Sequence, residues 1–487
     1  MQYDVAIIGC GVVGAAVAYE LSKYTASVIV LEAENDVADE TSKANSGIFH
    51  AGYDPQPGTL MAQLNVAGVA QAKELCRKLD VPVRWTGSLV IALSNGELAA
   101  IKMLFDRGTK NGVPGQELLN AAQARHLDAR LSPQVKGALY CPSAGVVYSW
   151  EYALAFIETA VRNGTELCRN FRVTGITRPE KGGYCIQSES GACITATYVV
   201  NAAGVYADII HNMVSPPAFH IQPTRGEYYL LDKTAGDLVR HIIFQCPTAA
   251  GKGVLVAPTA GGNIIVGPNA APCSRTDVRV THSGLDYIAA RAQKSIPSID
   301  LRSSIRNFAG VRANHDREDF IIGEADGAPG FIDLAGIKSP GLSAAPAIAT
   351  TCLTLLEQAG LALEEKKSYV DSRKRIAFER LSVSEKQRLI KKNPLYGRVI
   401  CRCETITEGE IIDALRTPVP PVSVDGINRR CGTGMGRCQG GFCSPRVMEL
   451  LMNEAHVSWH DVLQDKAGSY LLTGRTKQQE ECCERCR

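Results

Sequence analysis

The sequence predicts an α/β protein of about three domains: a parallel sheet covered by helices, a mixed or antiparallel sheet formed by two internal regions, and a small helical domain at the C-terminus. Three observations support this prediction. A glycine-rich turn joins an apolar strand to a helix at residues 9–14, short alternating apolar runs fill two internal regions, and eight of the 17 cysteines follow residue 400.

Composition and charge exclude several classes of function. With 487 residues, of which 45% are hydrophobic, the chain can bury large cores. The formal net charge is +2 and both signs are interspersed, so no broad basic field favours nucleic acid or an anionic membrane. The N-terminus leads almost directly into an apolar strand, and no apolar run reaches membrane-spanning length. We therefore expect a cytoplasmic protein whose only membrane association is through a partner.

The N-terminal segment reads as strand, glycine turn, helix and strand. In the G-x-G-x-x-G turn, Gly9 allows the tight turn, Gly11 lets backbone approach a pyrophosphate, and Gly14 lets the helix pack on the strand. Glu32 ends the second strand, where a carboxylate accepts hydrogen bonds from a ribose diol. This pattern predicts a dinucleotide site.

Later segments favour FAD over a nicotinamide cofactor. Residues 41–52 form a polar, glycine-bearing loop where a nicotinamide domain would continue its alternating units, although a solvated surface loop has a similar composition. Residues 198–204 form a buried strand ending in small residues, which suits close approach to a cofactor. The strand at 330–334 precedes a helix at 344–358, whose N-terminus can stabilise negative charge on a reduced flavin.

The order of these segments resembles the D-amino-acid oxidase superfamily of FAD enzymes over roughly residues 1–365. It resembles more closely the branch that contains glycerol-3-phosphate and L-2-hydroxyglutarate dehydrogenases. The segments 45–52, 225–228, 266–270 and 309–312 are similar to the hydroxyglutarate enzymes. Gly336-Ile337-Lys338 is similar instead to the glycine-glycine-lysine segment of glycerol-3-phosphate dehydrogenases, with isoleucine replacing one glycine.

The resemblance implies a discontinuous Rossmann-like FAD-binding domain at 1–77, 141–217 and 311–365, interrupted by a substrate-binding domain at 78–140 and 218–310. The predicted FAD contacts are Gly9, Gly11, Val12, Val13, Gly14, Glu32, Thr41, Ser42, Asn45, Ser46, Gly47, Val173, Ala203, Gly204, Gly310, Gly336, Gly341 and Leu342.

Oxidising a secondary alcohol at a flavin requires a base for the hydroxyl proton and cations for an anionic substrate. His50 is the predicted base, with simple packing beside the flavin as the alternative. Arg225, Arg312 and Lys338 are predicted to form the anion clamp, because guanidinium groups bind carboxylate or phosphate bidentately. Glu227 is a candidate to orient Arg225.

The cysteine-rich region forms a separate module. A charged linker at 366–396, with a predicted helix over 371–392, leads to Cys401-Arg402-Cys403 and a glycine-rich loop that contains Cys431, Cys438 and Cys443. A helix with a capping-box pattern is predicted to begin near Thr407, and another to begin at Ser444-Pro445 with serine as the cap. Glycine-rich backbone and nearby arginines suit the negative charge of a thiolate cluster.

This module, at 397–460, resembles the bacterioferritin-associated ferredoxin-like 2Fe-2S domain. By that resemblance the ligands are Cys401, Cys403, Cys438 and Cys443, although Cys431 is an alternative to Cys438 and structural zinc an alternative to the cluster. The tail at 461–487 carries Cys482, Cys483 and Cys486, which we expect to be exposed thiols on a mobile segment. The remaining cysteines are expected to be small, reduced, mostly buried residues.

A flavin takes up a hydride and an iron-sulfur cluster passes single electrons, so together they predict a dehydrogenase that discharges into a protein partner. The leading prediction is oxidation of sn-glycerol 3-phosphate, supported by Lys338. The alternatives are L-2-hydroxyglutarate oxidation, oxidation of an amino or imino acid, and an electron-transfer subunit with a vestigial cavity. The predicted partners are a small anionic substrate and electron-accepting subunits, either a second flavoprotein or an iron-sulfur or quinone-linked protein.

Overall fold

The computed structural model describes residues 2–247 and 253–474 and divides the chain into two compact units, Met1–Arg375 and Ile376–Arg487. The tail cysteines Cys482, Cys483 and Cys486 lie outside the described residues.

The strands within the described residues are short, as expected for an α/β protein with several sheets. In chain order they are β1 Gln2–Ile8, β2 Val28–Leu31, β3 Ile48–Phe49, β4 Val83–Arg84, β5 Ser88–Ala92, β6 Glu117–Asn120, β7 Gly137–Cys141, β8 Gly145–Val147, β9 Glu166–Cys168, β10 Val173–Thr177, β11 Tyr184–Ser188, β12 Cys193–Asn201, β13 Thr224–Leu231, β14 Ile242–Gln245, β15 Leu255–Pro258, β16 Ile264–Gly267, β17 Ala271–Pro272, β18 Ser304–Arg312, β19 Ile321–Glu324, β20 Phe331–Ala335, β21 Val399–Cys401 and β22 Ile406–Thr407.

The α-helices are distributed over both units. They are α1 Val12–Leu21, α2 Leu60–Lys78, α3 Asn95–Asn111, α4 Ala121–Leu127, α5 Ser149–Arg162, α6 Ala207–His211, α7 His282–Ser295, α8 Gly341–Gln358, α9 Val383–Lys392, α10 Glu408–Leu415, α11 Val424–Cys431 and α12 Ser444–Ala455.

The first sheet of unit 1 is parallel at its centre. Its order is β10-β11-β12-β1-β2-β9, and β20 pairs parallel with β12. The central strands are continuous apolar runs because helices cover the sheet, and α1 packs against α5 and α8. The carboxyl ends of β1, β12 and β20 therefore meet at one edge, where a ligand binds in open α/β sheets.

The second sheet of unit 1 is mostly antiparallel, with the order β17-β13-β16-β15-β14-β5-β7-β6 and β18 on β13. The single pairing of β14 with β5 is parallel. Helix α7 packs on β13, β15 and β16, and an apolar cluster including Leu89, Val256 and Ile288 fills this side. Together the two sheets confirm the predicted fold class.

Unit 2 is a small helical domain around the β21–β22 hairpin. Its core joins α10, α11 and α12 through apolar residues including Ile411, Ile427 and Leu451. The predicted capping box at Thr407 is confirmed, because Thr407 and Glu410 hydrogen-bond reciprocally at the start of α10. Helix α12 differs from expectation: Cys443 is its N-cap and Ser444 its first residue.

Two other local predictions are wrong. The helix predicted over 371–392 is wrong in its first half. The α-helix begins at Val383, where Ser382 and Glu385 form a capping box. Before it, the buried Arg373 pairs with Glu158 on α5. Cys185 and Cys193 are joined in a disulfide instead of being separate thiols. They face each other diagonally across β11 and β12, a contact that follows from strand register and not from spacing in the sequence.

Candidate active site and cluster site

The N-terminal glycine turn is a close-packed backbone junction. Gly9 has a φ of +98°, and a Cβ there would lie 2.6 Å from the Ala202 carbonyl oxygen. A Cβ on Gly14 would lie 2.0 Å from the Gly9 carbonyl oxygen. The turn therefore accepts only glycine at both positions, and it leaves the α1 N-terminus beside Gly11, Val12 and Val13 as a site for an anion.

Glu32 lies at the carboxyl end of β2 and faces this turn. Its carboxylate accepts hydrogen bonds from the backbone N–H groups of Cys10 at 2.7 Å and Glu34 at 2.9 Å. Burial is the largest influence on the group and raises the pKa of Glu32 to about 7. The backbone N–H of Phe171 donates to the Glu32 carbonyl at 2.8 Å, which brings the segment before Val173 alongside.

The loop after β2 is ordered by its own polar side chains. The Ser42 hydroxyl accepts from the Val12 N–H at 2.9 Å, and Asn45 donates to the carbonyls of Thr41 and Ser42 and accepts from Gly47 N–H. Ser46 is half-buried in the same turn. The polar side chains of this loop therefore form hydrogen bonds within the loop and with the start of α1.

Strand β18 and the loop after β20 approach this region. A Cβ on Gly310 would lie 1.8 Å from the Ala44 carbonyl oxygen, and Thr41 donates to the Val311 carbonyl at 2.6 Å. Ala203 and Gly204 follow β12, Gly336 follows β20 with a φ of +63°, and Gly341 and Leu342 begin α8. These small residues stand at the sheet edge where β1, β12 and β20 end, so the residues present fit the pyrophosphate and flavin of FAD.

His50 lies between helix α8 and the second sheet of unit 1. It follows β3, its backbone N–H donates to Ser343 Oγ at 2.7 Å, and its carbonyl accepts from Asn65 at 3.0 Å. The buried ring lies 4.7 Å from the Tyr53 ring and 5.6 Å from the Phe244 ring. Because Ser343 is in the first turn of α8 and Phe244 is on β14, the imidazole stands between the N-terminus of α8 and the second sheet.

Arg225 is held by two carboxylates. Its guanidinium lies 3.0 Å from Glu227 Oε1 and 2.7 Å from Asp277 Oδ2. Glu227 is fully buried and also accepts from Thr281 and Asn269. This arrangement supports the predicted role of Glu227 in orienting Arg225, and it leaves the Arg225 charge already balanced.

Arg312 has a different environment. Its guanidinium contacts the Asn269 carbonyl oxygen at 3.3 and 3.4 Å and crosses Gly226, where a Cβ would lie 2.0 Å from its Nη2. Within the described residues, it makes no ion pair with a carboxylate. Its charge is therefore available to an anion at the end of β18, near the Thr224 end of β13.

His315 is a buried residue beside the predicted site that no sequence motif marked. It is buried against Gly336, whose Cβ would lie 2.4 Å from the ring, and the electrostatic influence of Lys338 acts on it. Burial, followed by the Lys338 charge, lowers the pKa of His315. Nδ1 accepts from the Arg317 N–H at 3.1 Å, which leaves the proton of the neutral ring on Nε2. The only signal for this histidine is its burial beside the loop that carries Gly336 and Lys338, which the sequence does not show.

The four predicted ligand cysteines of unit 2 form two thiol pairs. Cys401 hydrogen-bonds to Cys443, which lowers the pKa of the Cys401 thiol, and Cys403 hydrogen-bonds to Cys438. No three His, Cys, Asp or Glu residues in the described part of the chain form a single metal-binding group. Two thiol pairs fit the two irons of a 2Fe-2S cluster, each of which takes two thiolates.

Backbone N–H groups surround these sulfurs. Gly434 donates to Cys401 and Cys443, and Gly440 and Phe442 donate to Cys438. Cys431, the alternative ligand, instead hydrogen-bonds through its thiol to the Ile427 carbonyl in its own helix at 3.3 Å. The residues present therefore fit a negatively charged 2Fe-2S cluster.

Comparison with known proteins identifies the two parts of the chain. Residues 4–352 match the model of the FAD dependent oxidoreductase family.

The chain belongs to the FAD-dependent oxidoreductase family.

Residues 399–453 match the BFD-like [2Fe-2S] binding domain, so this family member carries an iron-sulfur domain behind its flavin domain. The chain is 46% identical to a glycerol 3-phosphate dehydrogenase of Caloramator mitchellensis over 98% of this chain and 99% of the relative. It is 30% identical to the mitochondrial L-2-hydroxyglutarate dehydrogenase of Homo sapiens over 72% of this chain and 87% of the relative.

A solved structure has the same fold as unit 1. Dithionite-reduced L-α-glycerophosphate oxidase from Mycoplasma pneumoniae with FAD bound superimposes with a TM-score of 0.73 at 29% identity, covering 76% of this chain and 98% of that chain. The chain is therefore an FAD-dependent oxidoreductase whose cofactors are FAD and a 2Fe-2S cluster. None of the described helices is both long and apolar enough to cross a membrane.

Proposed function

We propose that this chain is a dehydrogenase that oxidises sn-glycerol 3-phosphate to dihydroxyacetone phosphate and passes the electrons through its C-terminal domain to a protein partner. The relative that matches nearly the whole chain, including the cysteine-rich domain, is named for glycerol 3-phosphate.

The observation that carries the proposal is the contrast between Arg225 and Arg312. Arg225 is balanced by Glu227 and Asp277, whereas Arg312 makes no ion pair within the described residues. The phosphate of the substrate would take the place of a carboxylate partner on Arg312, and Lys338 in the loop after β20 would add a second cation. We infer that Arg225 positions the strand and does not bind substrate.

His50 is the group that we assign to the proton. It stands between α8 and β14, held through its backbone by Ser343 and Asn65, so its ring orientation is fixed before substrate arrives. Its imidazole would take the proton of the substrate C2 hydroxyl as the C2–H bond breaks. FAD, when bound, accepts the hydride from that carbon.

We assign the FAD contacts to the glycine turn, Glu32, the 41–47 loop and the small residues at the ends of β12 and β20. We assign the cluster to the pairs Cys401/Cys443 and Cys403/Cys438. A 2Fe-2S cluster transfers single electrons when bound, which favours a protein acceptor, either a second flavoprotein or an iron-sulfur or quinone-linked subunit. Such a partner would also make any membrane association.

A second candidate is oxidation of L-2-hydroxyglutarate. It is favoured by the similarity of unit 1 to hydroxyglutarate dehydrogenases and by the ability of Arg312 to bind a carboxylate bidentately. The two candidates differ in how their negative charge is distributed. A phosphate monoester carries nearly two charges on one group, whereas L-2-hydroxyglutarate carries one on each of two carboxylates, so the phosphate gains more from two cations, Arg312 and Lys338, at one place.

Anaerobic stopped-flow absorbance distinguishes these candidates. The purified, cluster-intact protein would be mixed separately with glycerol 3-phosphate, L-2-hydroxyglutarate and a panel of amino acids. Fast flavin bleaching by glycerol 3-phosphate alone is the expected result. Bleaching only by hydroxyglutarate or an amino acid would reassign the substrate, and bleaching by none would favour an electron-transfer subunit without a working cavity.

A further inference from the structure

The two thiol pairs of unit 2 differ in exposure. Cys401 and Cys443 are each 2% exposed, whereas Cys403 is exposed and Cys438 is half-buried. We name these the inner pair and the outer pair. A cluster held by all four thiolates would therefore have one edge inside the domain and one edge at its surface.

The surface beside the outer pair carries cations. Arg402 precedes Cys403 and Arg437 precedes Cys438, and both side chains are exposed. Arg402 has no ion-pair partner within the described part of unit 2. Arg398 and Arg446 share Glu408, and the buried Arg430 donates to the Val419 and Gly426 carbonyls.

An aromatic side chain completes this surface. Phe442, in the same loop and directly before Cys443, is 85% exposed, the largest exposure among the large hydrophobic residues of the described chain. A nearly fully exposed phenylalanine is unusual in a soluble domain. Arginine and aromatic residues are the types enriched at the centre of protein–protein interfaces. Glu404 contributes a carboxylate to this region, where it packs against Gly436.

We propose that Arg402, Cys403, Arg437 and Phe442 form the exit face, the surface on which an electron-accepting protein with a carboxylate-rich docking face binds. When bound and reduced, the cluster would give one electron to an acceptor docked beside Cys403, so that the cluster is oxidised by one electron and the acceptor is reduced by one. The arginines attract the acidic face of the partner and Phe442 provides the apolar contact once it has docked. This inference rests on the proposed relay through the C-terminal domain.

The test uses small oxidants of opposite charge. Full-length, cluster-intact protein would be reduced with dithionite, freed of excess reductant, and mixed with ferricyanide, an anion, or with tris(phenanthroline)cobalt(III), a cation. Reoxidation of the cluster would be followed by stopped-flow absorbance at several salt concentrations. Dithionite needs no substrate, so this experiment is independent of whether glycerol 3-phosphate is oxidised.

The exit face predicts opposite charge effects. Reoxidation by ferricyanide should slow as salt increases, since salt screens attraction between exposed charges. The double variant Arg402→Glu and Arg437→Glu should react about tenfold more slowly with ferricyanide and faster with the cobalt complex. The matched control, Arg388→Glu combined with Lys391→Glu, reverses two exposed cations on α9 and should change neither rate. Equal rates in the double variant and the control would overturn the proposal.

Two further readouts complete the test. Chromium(III) oxalate, a paramagnetic anion, should enhance relaxation of the reduced-cluster EPR signal in the unaltered protein and much less in the double variant, a measure of approach that does not depend on turnover. The amplitude of the same signal reports whether each variant retains its cluster.

Phe442→Ser should slow reoxidation by the aromatic anion naphthoquinone-2-sulfonate about threefold and leave the ferricyanide rate unchanged. If Phe442→Ser left the rate with naphthoquinone-2-sulfonate unchanged, Phe442 would not belong to the exit face.

Discussion

The two redox sites of this chain differ in how far their charged and reactive side chains are exposed to solvent. In unit 1, Glu227 is fully buried, Arg225 is balanced by two carboxylates, and His50 is enclosed by Tyr53 and Phe244. In unit 2, Cys403 and Arg402 face the solvent beside an exposed Phe442. Hydride transfer requires a fixed substrate and excluded water, whereas electron transfer requires only close approach of a partner. The difference in exposure is what the proposed transfers would require, a hydride in unit 1 and single electrons in unit 2.

The largest expected effect tests the inner thiol pair. Cys443→Ser removes a buried thiol that we assign as a cluster ligand, and it alters the N-cap residue of α12, so we expect nearly complete loss of iron, sulfide and the cluster EPR signal. Cys431→Ser is the matched control, because that thiol lies in the same loop but bonds to its own helix. If Cys431→Ser lost the iron and Cys443→Ser retained it, the ligand assignment would be wrong.

The next effect tests the unbalanced charge in unit 1. Arg312→Met should lower kcat/KM for glycerol 3-phosphate by roughly 100- to 1000-fold, because bidentate hydrogen bonds to a charged group are lost. Arg302→Met alters an exposed arginine near the start of the same strand and should leave kcat/KM unchanged. Similar kinetics in both variants would exclude Arg312 from the clamp.

A smaller effect tests the buried network around Glu227. Gly284 is in the first turn of α7, and a Cβ there would lie 1.5 Å from Glu227 Oε2. Gly284→Ala should reduce the free energy of unfolding by about 1–3 kcal/mol and weaken substrate binding, since the carboxylate must move. Gly96→Ala, in the first turn of α3, meets only Ser94 Oγ at 3.9 Å and should be neutral in thermal denaturation. Equal melting temperatures for the two variants would contradict this account.

The smallest effect concerns pH. The pKa of Glu32 is raised to about 7 by burial, and a ribose diol donates to the ionised carboxylate, so FAD should bind about tenfold more weakly at pH 6 than at pH 8. Titration of FAD-depleted protein would measure this, and Glu32→Gln should remove most of the pH dependence. A dissociation constant independent of pH in the unaltered protein would show that Glu32 does not titrate in this range.

The FAD-depleted protein should show the opposite trend in stability. The folded carboxyl keeps its proton up to about pH 7, whereas the unfolded one loses it near its ordinary pKa. The contribution of Glu32 to the free energy of unfolding is therefore fully present at low pH and is lost as the pH rises through 7.

Much of the fold followed from local pattern. The strand predicted at 330–334 is observed at Phe331–Ala335, and the helix predicted at 344–358 begins slightly earlier, at Gly341. Strong apolar runs and glycine turns define such elements without knowledge of the tertiary structure. The cofactors and the family also followed from motif order.

Features that depend on contacts between distant residues could not be predicted. The pairing of Arg225 with Asp277 joins residues 52 positions apart, and the disulfide between Cys185 and Cys193 depends on strand register. No motif marks His315. It follows β18 and Gly336 follows β20, so the two residues come into contact only in the folded chain. Burial and charge balance, which separate Arg225 from Arg312, are properties of the folded chain.

The central claim is that one chain takes a hydride in unit 1 and releases single electrons from unit 2. Rapid-freeze EPR after anaerobic mixing with glycerol 3-phosphate tests it most directly. The account predicts that flavin bleaching is followed by the signal of a reduced 2Fe-2S cluster, and that this signal is absent in Cys443→Ser while bleaching persists. Bleaching of the flavin in the unaltered protein with a cluster that stays oxidised would contradict the claim.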